Sequence, residues 1–275
     1  MAAPSDVGSD PFEPWPADAE VHVEWGAVGA RLAADRGDLV VVVDVLSFST
    51  SVTLAVGHGA TALSYSTAEI EAAGGRDALC AAVRAEIVAK DRAASDARFS
   101  LSPTSLATIA PGDRLIFTSL NGAACTSAAG ASPRVLIGGL SNRAAVASLV
   151  AEFLAEGLAR RCTIIAAAEH WSSSAGSERG IRPGVEDWLG AGAIARVLAN
   201  RNLSLSLEAR LAAAAFDVVA ADPRAALESC ISGRELIAKG FGDDVELAAE
   251  IDSIDVVPAW DTGLAVREFS AARST

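Results

Sequence analysis

Leu39-Val40-Val41-Val42-Val43 runs straight into Asp44-Val45-Leu46-Ser47-Phe48-Ser49-Thr50, and the fold turns on that junction. Five apolar residues in a row have the length of a strand and no polar alternation. A strand of that kind is covered on both faces, as in sheets flanked by helices. A polar loop follows at once, and residues 51–56 then read as a helix closed by Gly57 and Gly59.

The same order of strand, polar loop and helix recurs outward from there. Arg114-Leu115-Ile116-Phe117 leads through Thr118-Ser119-Leu120-Asn121-Gly122 into the Ala-rich stretch 123–129. Val135-Leu136-Ile137 leads through Gly138-Gly139-Leu140-Ser141-Asn142 into a helix over about 144–158. Residues 163–167 form a further apolar run before Glu169-His170-Trp171. The alternation predicts a layered α/β domain with loops gathered at the carboxyl ends of its strands. Residues 69–98 have helical spacing and are expected to pack on the sheet as a helix. Helices are also expected over 206–216, 223–230 and 245–251, with a closing strand at 255–258. Residues 1–18, rich in Pro, Asp and Ala, read as an irregular arm. Residues 19–275 read as a single domain, with two lobes left open.

Composition limits the function. The 275 residues are 51% hydrophobic and carry a formal net charge of −13. That balance argues against partners that need a basic surface, nucleic acids and anionic membranes. A small anionic substrate is still allowed, because a few cations can reverse a local field. The cysteines at 80, 125, 162 and 230 include no C-x-x-C pair, so neither a zinc knuckle nor a redox site is indicated. With no leader-like start and no run long enough to span a bilayer, a soluble, cytoplasmic protein is expected. A homo-oligomer is compatible with the sequence.

Three polar clusters could carry chemistry. At the first, Asp44 can bind a metal, and the hydroxyls of Ser47, Ser49 and Thr50 can hold an oxyanion at a helix start. Equally, Ser49 or Thr50 could cap the helix while Asp44 closes a turn. Ser119, Asn121 and Gly122 occupy the same place after the next strand, where an ordinary Asn-Gly turn would also serve. Ser141-Asn142 repeats the arrangement, so three such loops would form a rim of neutral donors. Third, Glu186-Asp187 opens a helix whose apolar face carries Trp188, Leu189, Ile194, Val197 and Leu198. These acids either complement the helix dipole or turn inward to a metal or a water. Glu169 could add a further carboxylate, whereas His170 has no second histidine near it.

Absences narrow the mechanism. Leu46 stands where an Asp-x-Asp nucleophile motif needs its second acid, and no Cys is followed six residues later by Arg. Neither a G-x-G-x-x-G nor a phosphate-binding P-loop occurs, and no G-x-S-x-G elbow marks a serine hydrolase. A metal-assisted hydrolase built on carboxylates survives this elimination.

Asp44-Val45-Leu46 with Ser49-Thr50 and Gly59-Ala60 resembles the opening of 2-phosphosulfolactate phosphatases. Further matches follow in order: Leu101-Ser102-Pro103, Asn121-Gly122, Gly139-Leu140 with Asn142, Glu186-Asp187 with Ala191-Gly192, Gly233–Ile237, and Asp255 with Val257-Pro258. The resemblance spans about residues 20–260. It implies an α/β/α fold and Mg²⁺-dependent hydrolysis of 2-phospho-3-sulfolactate to 3-sulfolactate and phosphate, on the route to coenzyme M. Carried over by position, Asp44, Glu186 and Asp187 become catalytic and metal candidates; Glu169 joins the metal candidates from its own place at a strand end. Ser47, Ser49, Thr50, Ser102, Ser119, Asn121, Gly122 and Asn142 become substrate contacts. The chain departs from the pattern at Ser47 and at Ala123-Ala124, where many members have arginines, and at Leu101, where an Asn is common. Either Arg143, Arg179 or Arg182 replaces the lost charge from another loop, or the substrate has only a phosphate and no sulfonate. A binding protein that has lost activity is the competing expectation.

Overall fold

The computed structural model describes residues 19–93, 97–171, 180–261 and 268–272. In chain order the elements are β1 (Val21–Trp25), α1 (Gly26–Asp35), β2 (Leu39–Val43), α2 (Phe48–Gly57), β3 (Thr61–Ser64), α3 (Thr67–Ala72), α4 (Arg76–Val83), β4 (Glu86–Ile87), β5 (Arg114–Phe117), α5 (Gly122–Ala128), β6 (Arg134–Ile137), α6 (Arg143–Ala155), β7 (Cys162–Ala166), β8 (Glu169–His170), β9 (Ile181–Arg182), α7 (Val185–Asn200), α8 (Leu207–Val219), α9 (Pro223–Ser229), α10 (Ile231–Ala238), α11 (Gly242–Ala248), β10 (Pro258–Asp261) and β11 (Glu268–Ala271). The segments Pro103–Thr108 and Leu140–Asn142 are 3₁₀ turns.

Nine strands form one sheet in the order β1-β7-β2-β6-β10-β11-β3-β5-β4. β1, β7, β2 and β6 pair in parallel, and β3, β5 and β4 form a second parallel block. The C-terminal strands β10 and β11 join the blocks through three antiparallel pairings. Strand pleating explains the layers, because successive side chains point to opposite faces. Leu39, Val41 and Val43 enter one core with Val21, Val23, Leu136 and Ile164, beneath α6, α7 and α8. Val40 and Val42 enter the other with Val135, Ile137 and Ile165, beneath α1, α2 and α5. The continuous apolar run of β2 is therefore needed on both sides, and the α/β/α layering follows.

The sheet does not lie flat. β2 and β5 are five ladder steps apart, which at about 4.8 Å per step is about 24 Å. Yet Ser119, just after β5, lies 3.2 Å from the Asp44 carboxylate, just after β2. The sheet must twist and curl, and Phe48 of α2 fills the fold by packing edge-on against Phe117 of β5.

Several expectations need correction. Residues 69–98 are not one helix: Gly74 and Gly75, both at positive φ, separate α3 from α4. The chain then turns into the short strand β4. The closing strand begins at Pro258 rather than 255, and the last helix is α11, ending at Ala248 rather than 251. β1, α1, β3 and α10 were not anticipated. The arm at 1–18 lies outside the described residues. No helix among the described residues is long and apolar enough to cross a membrane.

Candidate active site

Asp44 stands one residue beyond β2, and the hydroxyls that follow it build its turn. Ser49 Oγ accepts from the Asp44 N–H (2.9 Å) and donates to Val42 O (3.2 Å). Thr50 Oγ1 donates to Val45 O (2.6 Å). Both residues are buried, so they hold the loop in shape and face no ligand. Neither caps α2. The position before that helix belongs to Ser47, which makes no capping bond.

The Asp44 carboxylate points across to the start of α5. Its Oδ2 accepts from Ser119 Oγ (3.2 Å) and from the Gly122 N–H (3.1 Å). A Cβ on Gly122 would lie 2.5 Å from the Phe48 ring. Glycine is required there by close approach, not by an Asn-Gly turn. Asn121 Nδ2 donates to Glu169 Oε2 (2.8 Å), while its Oδ1 is buried with no hydrogen-bond partner among the described residues.

α7 delivers the other acids. Cβ atoms on Gly190 would strike Val43 and Val45 at 2.8 and 2.5 Å, so the helix passes hard against the end of β2. One turn earlier, Asp187 reaches between two strand ends. Its Oδ1 accepts from the Val45 N–H (2.8 Å) and its Oδ2 from the Ala168 N–H (2.9 Å). Ala168 adopts φ 62°, a left-handed conformation costing about 1–2 kcal/mol in a non-glycine residue. This bend sets the Ala168 N–H on Asp187 and places Glu169 beside Asn121. Glu186 is buried and its carboxylate lies against the Cys230 thiol. Gly184 leaves room for both acids, since a Cβ there would lie 3.1 Å from Glu186 and 3.2 Å from Asp187.

Burial, and after it the crowding of these acids, sets the electrostatics. Burial first, then the Glu169 charge, pushes the Asp44 carboxyl up to about 6. Burial, then Asp44, Glu186 and Glu169, raises Asp187 well above the carboxylate range. Among the described residues no three His, Cys, Asp or Glu side chains form a ready cation cage. What the loops do offer is the Asp44 and Glu169 carboxylates and the partnerless Asn121 Oδ1. That is a sparse set of hard oxygens, which suits a small divalent ion that keeps several waters and takes phosphate oxygens as further ligands. Asp187, with both oxygens bound to backbone N–H groups, and Glu186, turned to Cys230, are placed to shape the site.

Next to these acids opens a cleft of 640 Å³ whose lining includes Ser47, Lys90, Arg92, Glu169, Arg182 and Lys239. It is richer in cations than in acids, although the chain has a net charge of −13. Arg182 faces Glu169 across the β8–β9 pairing and donates to Ser232 Oγ (3.1 Å).

Not every expected residue arrives here. Asn142 is fully buried: its Oδ1 accepts from the Gly139 N–H, and its Nδ2 donates to Ile137 O and Val256 O. The loop after β6 therefore braces the sheet, and the rim has two donor loops rather than three. Ser102 binds Asp244 (2.6 Å), one residue removed from the cleft. Arg143 pairs with Asp252, and Arg179 lies outside the described residues. Arg92 and Asp244 were not foreseen: no motif surrounds either, and only their meeting in space gives them weight. Arg92 donates to Ser47 Oγ (2.5 Å) and Leu46 O (2.9 Å), which brings a guanidinium to the place where the sequence has lost one.

Residues 30–263 match the family model described as 2-phosphosulpholactate phosphatase. A protein of Parasynechococcus marenigrum (strain WH8102), named as a probable 2-phosphosulfolactate phosphatase, is 28% identical over 239 residues, covering 84% of this chain and 93% of the relative.

Proposed function

The chain belongs to the 2-phosphosulpholactate phosphatase family, and on that premise we propose that it hydrolyses 2-phospho-3-sulfolactate to 3-sulfolactate and phosphate with Mg²⁺, as a step toward coenzyme M. One observation carries the reading. Asp44 and Asp187, far apart in sequence, are brought together by the fold and are both raised by burial and then by neighbouring carboxylates, Glu169 among them, beside a cation-lined cleft.

The residues divide the work. Lys90, Arg92, Arg182 and Lys239 attract a multiply anionic ester into the cleft and offset its charge. Asp44 and Glu169, with Asn121 Oδ1, would hold Mg²⁺, which when bound neutralises phosphate charge. Ser119 and the Gly122 N–H aim the Asp44 carboxylate, and Asn121 aims Glu169. In its ionised form Asp44 accepts a hydrogen bond from a water and orients it toward phosphorus. The water oxygen bonds to phosphorus, the ester P–O bond breaks, and the water's proton ends on the departing hydroxyacid oxygen. Phosphoryl transfer is mostly positioning and charge neutralisation, so little other chemistry is asked of the protein. Asp187 and Glu186 position the loops.

The test is phosphate release from 2-phospho-3-sulfolactate by metal-stripped protein, with and without added Mg²⁺. Turnover that needs Mg²⁺ and is lost in Asp44→Asn supports the reading. Binding without turnover would make the protein a metabolite sensor instead.

A further inference from the structure

Arg92 stands out as a cleft cation that the structure fixes rigidly. Its Nη2 gives one hydrogen to Leu46 O and one to Ser47 Oγ, and its Nη1 donates to Asp244 Oδ2. Asp244 is fully buried. Its other oxygen accepts from Ser102 Oγ (2.6 Å), the Thr104 N–H (3.1 Å) and Thr104 Oγ1 (2.8 Å). The Phe241 ring lies 5.9 Å from the guanidinium carbon. The supports come from three separate parts of the chain: the loop after β2, the 3₁₀ turn at Pro103–Thr108 with the Ser102 before it, and α11 with the Phe241 before it. Among the described residues, the second Nη1 hydrogen and the Nε–H have no partner, and the side chain lines the cleft with 11% of its surface exposed.

A guanidinium has five N–H groups in a planar fork that matches an oxyanion. Here three hydrogens lock the plane, and the free Nη1 hydrogen and the Nε–H lie on different edges of it, so each is left to serve a ligand oxygen singly. Because the plane is already ordered, binding costs little further side-chain freedom. Arg182 and Lys239, which also line the cleft, supply charge of their own. We propose that Arg92 is a specificity-determining residue, holding a second oxyanion, carboxylate or sulfonate, that the substrate bears besides its phosphate. Asp244 is its positioning residue, and Ser102 acts through Asp244. The proposal rests on the phosphatase reading above and adds to it the part of the substrate that Arg92 recognises.

Removing the positive charge strands the buried Asp244 carboxylate, so Arg92→Lys, which keeps the charge, is the main variant and Arg92→Gln, which keeps only a hydrogen-bond donor, is its companion, each checked by thermal melting. Phosphate release is compared on four esters: 2-phospho-3-sulfolactate, 2-phospholactate without the sulfonate, 2-phosphooxyethanesulfonate without the carboxylate, and ethyl phosphate with neither. Both variants are expected to lower kcat/KM on the first ester about 10- to 100-fold, the worth of a charge-assisted hydrogen bond, and to lower it much less on ethyl phosphate. Whichever of the middle pair shares the large loss identifies the oxyanion. An equal loss on all four esters, or no loss on any, overturns the proposal. Asp244→Asn is expected to raise KM several-fold with kcat held, which a purely structural strut would not do. Calorimetric binding of 3-sulfolactate gives a readout independent of turnover. If the wild type hydrolyses none of the esters, the phosphatase reading fails by itself. The proposal then stands on 3-sulfolactate binding being weakened in Arg92→Gln, and falls if binding is unchanged or absent.

Discussion

Asp44→Asn should stabilise the metal-free protein while removing its activity. A buried carboxyl whose pKa is raised from 3.8 to about 6 holds its proton more tightly folded than unfolded. Below 3.8 both states are protonated and the group is neutral in its effect. As pH rises from 3.8 through 6 the unfolded chain ionises first, so the folded state loses relative stability; above 6 the loss is constant. At about 1.4 kcal/mol per pH unit, the full interval corresponds to about 3 kcal/mol. Asn removes that penalty, and it relieves Asp187 of the like charge that raises it most. It also gives up one acceptor oxygen, a loss of about 1 kcal/mol. The net expectation at pH 7.5 is a gain of about 2 kcal/mol, or about 4–8 °C in Tm for a chain of this size. Urea and thermal melts in EDTA, run from pH 5 to 7.5, check it. The gap between variant and wild type should narrow as pH falls. Millimolar Mg²⁺ should stabilise the wild type but not the variant, since only a ligand that binds the folded state shifts its stability. A variant less stable than wild type at pH 7.5, or a gap independent of pH, would refute the reasoning.

Turnover should rise with pH as Asp44 ionises, through about pH 6 at low Mg²⁺; raising Mg²⁺ should move that acidic limb lower, because a cation favours the carboxylate, and pH–rate profiles at two Mg²⁺ concentrations read it. Gly122→Ala drives a methyl into the Phe48 ring at 2.5 Å, so the loop must retreat and lift its N–H from Asp44. The expected result is a loss of about 1–3 kcal/mol in urea melts with kcat down at least about tenfold. Asp187→Ala leaves the Val45 and Ala168 N–H groups unbonded, which should cost about 2–6 kcal/mol, at about 1–3 kcal/mol for each buried orphan. Amide hydrogen exchange should show those two sites opening first.

The sequence by itself carried the layers and one wall of the site. Leu39–Val43 is apolar at every position because both faces of β2 are covered, and that demand is written locally. Asp44, Asn121-Gly122 and Glu186-Asp187 were visible because each sits where a strand or loop meets a helix. Sequence reading could not say what their oxygens would face. Ser49 and Thr50 looked like ligand hydroxyls, but free backbone groups at the strand end lay closer and claimed them. Asn142 was claimed in the same way by carbonyls of the sheet. Sheet order was also hidden, because strands joined by antiparallel C-terminal pairing have no periodicity that names their partner. Tertiary structure alone decided that α7 brings Asp187 to Val45 across 142 positions. It alone set Arg92 on Ser47 and locked it with Asp244 across 152. Hydrogen bonding and charge pairing act over about 3 Å in space and are indifferent to separation along the chain. Residue patterns therefore reveal which groups want partners, and only the fold assigns them.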